Sequence, residues 1–286
     1  MRTAIIGAYG QIGRILSSSL QDSGHELLLC SRRPVPEENS IVFDPLKDDW
    51  SVLGKLDVII NSAGIIRESR AEDFYKVHLD LVKTMIANRH KTGNPKIIQI
   101  SALGADSSNS IPFLRTKGMA DDILLSNPDT YIIRPSIVST PNTLLIQKLK
   151  WLVQMSRILF HRPVVPTGFL ETRVQPVMPE DLQEAVSTIS TTETWNSRII
   201  DCVGPDKFSF KELLDMSGKI VPIEIPKKLI EPVTRNFVAV WFPDLINSDQ
   251  FQLLFKDNTA DTSGIEALIG HSVRSSRHFW AAEMKN

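Results

Sequence analysis

Thiols, net charge and long apolar runs are all scarce in this chain of 286 residues. Its two cysteines, Cys30 and Cys202, each lie inside a strand-like apolar run, 27–30 and 199–203, and read as small core residues that suit a reducing cytoplasm. A formal net charge of -1 and a pI near 6.6 supply no basic balance for nucleic acid, and there is no acidic tail for a basic partner. No run approaches the roughly 18 uncharged apolar residues of a membrane span, and no charged-then-apolar leader precedes the first strand. A cytoplasmic protein is the expectation. The six histidines show neither i, i+4 pairing nor Cys/His clustering, so no dedicated metal site is expected. Tyrosine is the rarest aromatic, with three residues against twelve phenylalanines, which limits where a phenolic acid can stand.

What the chain does have comes first in its order. After the apolar run 3–6, residues 6–13 read IGAYGQIG and place Gly7, Gly10 and Gly13 where a buried strand would turn into a helix. The first glycine permits a tight turn, the second lets backbone approach a pyrophosphate, and the third lets helix pack close to strand. Amide N–H groups and the helix dipole then face an anion. Ile12, Ile15, Leu16 and Leu20 follow at helical spacing, which is the context the motif requires. Gly7, Tyr9, Gly10, Gln11, Ile12 and Gly13 are therefore candidates to cradle a dinucleotide.

Short, β-branched, nearly continuous apolar runs at 2–6, 26–31, 56–61, 96–101 and 130–134 read as parallel strands covered on both faces. Between them, 71–90 carries Phe74, Val77, Leu81, Val82, Met85 and Ile86 on one stripe, as an amphipathic helix would. The alternation predicts an α/β fold, a doubly wound and mostly parallel Rossmann sheet that binds ligands outside the carboxyl ends of its strands. Beyond Pro135 the rhythm changes. Residues 142–160 read as a helix, 161–179 as a loop, 180–192 as a helix and 198–203 as a strand returning to the sheet, while Ser209 to Glu212 forms a capping box for a helix running through Lys219. These signals divide the chain into a dinucleotide-binding domain, 1–140 with 175–204, and a smaller C-terminal mixed lobe, 141–174 with 205–286.

The second strand ends in Cys30-Ser31-Arg32-Arg33, and the nearest acids that follow are Glu37 and Glu38, past two prolines. An acid at this strand end would accept from a ribose 2′-OH, whereas arginine pairs with a 2′-phosphate. NADP is accordingly favoured over NAD, with Ser31, Arg32 and Arg33 as candidate contacts. Asp44 could accept from the adenine amino group or simply be an exposed loop acid. Ala63 and Gly64, closing the strand that ends at Asn61, are small enough to let backbone pass beside a cofactor.

These segments resemble the atypical short-chain dehydrogenase/reductase family, and within it the group that includes the 39-kDa subunit of respiratory complex I. The resemblance rests on GAYGQIG at 7–13, SRRP at 31–34, DVIINSAG at 57–64, ISALGAD at 100–106, FLRTKGMAD at 113–121, IIRPSIV at 132–138, TRVQPVMPEDLQEAV at 172–186 and VGPDKFSFKELL at 203–214, with a weaker match in DLINSDQFQLL at 244–254. It implies that Lys117 stands where active members place the lysine of a Tyr/Lys pair four residues apart, binding the nicotinamide ribose and lowering the tyrosine pKa. It also implies that Ser101 can polarise a substrate carbonyl, although serine at a strand end is more often a local hydrogen-bonding residue. Four residues before Lys117 stands Phe113, and the residues four after Tyr9, Tyr75 and Tyr131 are Gly13, Leu79 and Pro135. The usual acid is missing, and general acid–base help is worth roughly 10² to 10⁴ in rate.

Two functions follow from the resemblance. One is an NADPH-dependent oxidoreductase or isomerase on a small apolar substrate, with Lys117 and Ser101 as its catalytic candidates. The other is a non-catalytic dinucleotide-binding accessory subunit of a redox or quinone-linked complex, peripheral to a membrane. The helix at 144–160, with 11 apolar residues among 17, could meet such a surface or partner, or could roof the cofactor cleft.

Overall fold

The structure is a computed structural model, and it describes residues 1–70, 72–161, 164–166, 169–193, 198–218, 220–223 and 252–285. The chain forms two compact units.

The first unit comprises Met1–Pro135, Glu180–Cys202 and Ser263–His271. Ser263–His271 therefore clusters with the sheet, although the sequence assigns it to the smaller lobe. Seven parallel strands run in the order β3-β2-β1-β4-β5-β6-β9, where β1 is Arg2–Ile6, β2 Glu26–Ser31, β3 Ser40–Val42, β4 Val58–Asn61, β5 Lys96–Ile100, β6 Thr130–Pro135 and β9 Ile199–Cys202. This is the doubly wound sheet expected from the alternation, with β1 between β2 and β4 at its switch point. Ile5 lies beside Leu29 on one side and Ile60 on the other. Their aliphatic side chains are almost fully buried, each contributing about 1.5–3 kcal/mol. Cys30 and Cys202 are free and buried, and burial raises the Cys30 thiol to about 12 and the Cys202 thiol higher still.

Helices α1 (Gln11–Asp22), α2 (Leu81–Asn88), α3 (Pro112–Leu125) and α5 (Pro179–Thr191) flank the strands. The 71–90 segment departs from its expectation. Position 71 lies outside the described residues, and the chain then forms a π-helical turn, Tyr75–Asp80, ahead of α2 and a 3-10 turn, Arg89–Thr92, after it. The wide turn carries His78 into the interior, where it is 2% exposed.

The second unit comprises Ser136–Pro179, Val203–Thr262 and Ser272–Asn286. Its core gathers Ile146, Leu149 and Val153 of α4 (Leu144–Phe160), Phe208, Phe210 and Leu213 around α6 (Phe210–Met216), and Trp280 of α8 (Arg277–Lys285), with α7 (Ser263–Ile269) belonging to the first unit. Trp280 donates to Ser139 Oγ at 3.0 Å, which satisfies its buried indole N–H. Ser209 and Glu212 form the expected reciprocal capping box. The α6 helix stops at Met216, before Gly218 at φ +120°; position 219 is outside the described residues. Within 161–179, read as loop, two short strands occur: β7 (Val164–Pro166) beside β11 (Val221–Ile223), and β8 (Arg173–Val174) beside β10 (Phe208–Ser209). Most of the weaker match at 244–254 lies outside the described residues. Among the described residues, no helix is long and apolar enough to cross a membrane.

Candidate functional site

At the carboxyl ends of β1, β2 and β4 the chain turns through its glycines. Gly7 has φ +80°, and a Cβ there would lie 2.7 Å from the Ala63 backbone nitrogen. A Cβ on Gly13 would lie 2.2 Å from the Gly7 carbonyl oxygen, so side-chain-free positions are what allow α1 to start directly against β1. Gly10 N–H donates to Gly7 O at 3.0 Å and Gly10 is the N-cap of α1, with no side-chain cap bond and no acid in the first turn. The positive end of this helix is thus left without a carboxylate of its own.

A cavity of about 330 Å³ opens here, within the size range of ligand pockets. Of the candidate cofactor residues, Gly7, Tyr9, Gly10, Ser31, Arg32, Asp44, Ala63 and Gly64 line it. Gln11, Ile12 and Gly13 form the first turn of α1, and neither they nor Arg33 and Lys117 are among the lining residues. Ser31 Oγ accepts from Arg33 N–H at 3.2 Å, and Tyr9 donates to Glu37 Oε2 at 3.2 Å. Burial and the Glu37 carboxylate raise the Tyr9 phenol. Burial works against ionisation of Asp44, but Lys47 at 3.0 Å, the Leu46 N–H and the Arg32 guanidinium outweigh it and hold the carboxyl below its ordinary range.

One lining residue escapes sequence reasoning. Glu72 forms an ion pair with Arg32 Nη1, so an acid does stand at the end of the second strand, delivered from 40 residues away. The connection after β4 in a doubly wound sheet runs across these strand ends, and that topology was the available signal.

A second cluster lies deeper. Lys117 is buried and donates to Ile100 O at 3.1 Å, with its Nζ 3.1 Å from where a Gly64 Cβ would be. Burial lowers its ammonium to about 8, against the pull of Asp121. Ser101 does not line the cavity, and its hydroxyl donates to Asp121 Oδ2 at 2.9 Å. Arg134 holds the same oxygen through Nε and Nη2, both at 2.9 Å, while Asp121 Oδ1 has no hydrogen-bond partner. Burial raises the Asp121 carboxyl despite Arg134, Ser101 and Lys117. Phe113 packs edge-on to Phe74 and His78, with ring centroids 5.9 and 5.7 Å apart. No proton can leave such a ring, and the nearest imidazole is fully engaged: His78 Nε2 accepts from Ile65 N–H at 3.2 Å and Nδ1 meets Thr116 Oγ1 at 2.9 Å. Among the described residues, no three His, Cys, Asp or Glu side chains converge as a metal site would require.

No protein-family model matches the chain. It is 25% identical to the NADH dehydrogenase (ubiquinone) 1 alpha subcomplex subunit 9, mitochondrial, of Arabidopsis thaliana, over 92% of this chain and 71% of that protein. To the protein of that name in Dictyostelium discoideum it is 24% identical, over 82% of this chain and 67% of the relative. Among solved structures, a nucleoside-diphosphate-sugar epimerase from Staphylococcus aureus superposes with TM-score 0.75 at 14% identity, covering 100% of both chains. MoeE5 in complex with UDP-glucuronic acid and NAD superposes with TM-score 0.71 at 13% identity, covering 99% of this chain and 97% of that one. The chain thus has the fold of these epimerases and resembles the complex I subunit group of atypical short-chain dehydrogenase/reductases named by its motifs.

Proposed function

We propose that the chain binds a nicotinamide dinucleotide, NADP(H) in preference to NAD(H), as a structural ligand, and serves as an accessory subunit of a membrane-associated, quinone-linked redox complex. The observation that carries this reading is Phe113, a ring packed edge-on against Phe74 and His78 at the position where active relatives of this fold supply a phenol. The partner comes by analogy with the complex I subunits the chain resembles.

The residues fit such a ligand. Gly7 lets the turn pack against the Ala63 backbone, Gly10 leaves backbone open to a pyrophosphate, the first turn of α1 carries no competing acid, and Arg32 offers a guanidinium to a 2′-phosphate. Gly64, which lines the cavity, brings backbone close to the Lys117 ammonium behind it. When bound, the dinucleotide would supply hydride chemistry, and its binding to the folded state alone would stabilise the first unit by mass action.

A second reading, an NADPH-dependent oxidoreductase or isomerase acting on a small apolar substrate, is favoured by Lys117. An ammonium lowered to about 8 can exchange a proton near neutral pH.

The purified protein is expected to bind NADPH more tightly than NADH in a fluorescence titration, and Arg32→Glu to reverse that order. Equal affinities before and after the change would remove the 2′-phosphate argument. The two readings separate in a tagged recovery from native membranes run beside a substrate panel followed by NADPH absorbance. Stable recovery with a membrane complex and no turnover supports the accessory role, whereas turnover that is abolished by Lys117→Ala supports the enzyme.

A further inference from the structure

The Arg32–Glu72 ion pair sits in the wall of the cavity, with the arginine side chain 63% exposed and the glutamate 25%. Glu72 is not a loosely held surface acid. Its N–H donates to Ser69 Oγ at 3.2 Å and its carbonyl accepts from Ser69 N–H at 2.8 Å. Two residues on, the N–H of Phe74, a 2%-exposed side chain in the core, donates to Glu68 Oε1 at 3.0 Å. Hydrogen bonds therefore tie Glu72 to Ser69 and Phe74 to Glu68.

On the same cavity wall stands Asp44, kept ionised by Lys47 and by Arg32 itself. The guanidinium that would recognise a phosphate already faces two carboxylates, one of them in direct contact.

We propose that Glu72 sets the coenzyme discrimination of this site by competing with a 2′-phosphate for Arg32. The inference rests on the dinucleotide reading above. A phosphate dianion brought to Arg32 meets the Glu72 carboxylate at close range and must displace it, because two anions cannot share the same guanidinium face without repulsion. A free ribose 2′-hydroxyl has no such conflict and can donate to the carboxylate. Glu72 thus reduces the preference for the phosphorylated coenzyme that Arg32 alone would confer.

The test measures Kd for NADPH, NADH and 5′-AMP on wild type, Glu72→Gln, Glu72→Ala, Arg32→Ala and the Arg32→Ala/Glu72→Gln double variant. An exposed pair is worth up to about fivefold in an equilibrium. With the repulsion removed as well, Glu72→Gln is expected to raise the NADPH-to-NADH affinity ratio roughly tenfold. Glu72→Ala should do the same, and the gain should be clearly smaller when Arg32 is alanine, where direct repulsion between Glu72 and the phosphate remains but the competition for the guanidinium is gone. The 5′-AMP affinity should change in step with that for NADH, within about twofold, because both present a free 2′-hydroxyl and neither a 2′-phosphate. A ratio unchanged in both Glu72 variants, or a gain that is undiminished without Arg32, overturns the proposal while leaving dinucleotide binding intact. A wild type that prefers NADH still supports it, provided the Glu72 variants shift the ratio toward NADPH. If none of the three probes binds any form, the dinucleotide reading fails and takes this inference with it.

Discussion

His78 is the residue with the least freedom in the deeper cluster. Thr116 Oγ1 has backbone acceptors in Pro112 O at 3.0 Å and Phe113 O at 3.2 Å, so its own proton is committed and the imidazole Nδ1–H donates to it. With Nε2 accepting from Ile65 N–H, the ring is neutral. Burial first, and the Lys117 ammonium second, push its pKa down to about 2. The unfolded chain protonates this ring near 6.5, so between about 6.5 and 2 the unfolded state binds the extra proton. Stability must therefore fall as pH is lowered from about 6.5, by up to about 1.4 kcal/mol per pH unit from this group. Burial lowers His25 in the same direction, so only a difference isolates His78. Urea unfolding at pH 7.5 and 5.5 should show wild type losing about 1.4 kcal/mol more over that interval than His78→Gln. Equal slopes would mean that the ring is not held neutral as its partners require.

At the level of elements, the β1-to-α1 connection separates two jobs that glycine can do. A Cβ at Gly13 would collide with Gly7 O at 2.2 Å and with Ala8 at 2.7 Å, both backbone contacts that cannot give way cheaply. Gly13→Ala should cost about 1–3 kcal/mol, read as a lowered melting temperature of the free protein. At Gly10 the nearest contact would be 3.3 Å, so Gly10→Ala should leave the free protein nearly as stable yet weaken dinucleotide binding, checked by NADPH titration. If both variants lose stability equally, the turn serves packing alone. The same region marks what the sequence makes legible. Strands β1 and β2 end where the apolar runs end, because a buried parallel strand must be apolar along its length. The π-helical turn at Tyr75–Asp80 was not legible, since it buries His78 and Leu79 and leaves Val77 of the expected stripe half-buried, and a histidine does not register in an apolar stripe. The short strands β7 and β8 depend on partners some 35 to 57 positions later, Phe208–Ser209 and Val221–Ile223, and no local pattern announces that pairing.

For the whole molecule, the doubly wound parallel sheet was readable from the alternation of strands and helices, whereas the pairing of Glu72 with Arg32 was not, because it depends on where a connection passes after β4. That distinction matters for how a ligand would act on the chain. Among the described residues, the cavity is lined from the first unit, by residues of β1, β2 and α2 and of the connections that follow β1, β2, β3 and β4. The second unit has its own core around Trp280, Phe208 and Leu213. A dinucleotide in that cavity, present at about a hundred times its Kd, would stabilise the state that binds it by about 2.7 kcal/mol. Hydrogen exchange in the presence and absence of NADPH should then slow at 7–14, 31–33 and 62–65, where backbone lines or adjoins the cavity, and along the first-unit strands that unfold with them. The helices α6 and α8 of the second unit should exchange at unchanged rates in their locally opening amides. Protection centred on those helices, with 7–14 unaffected, would move the ligand out of the glycine turn and into the other unit, and no arrangement of Arg32 and Glu72 would then bear on its recognition.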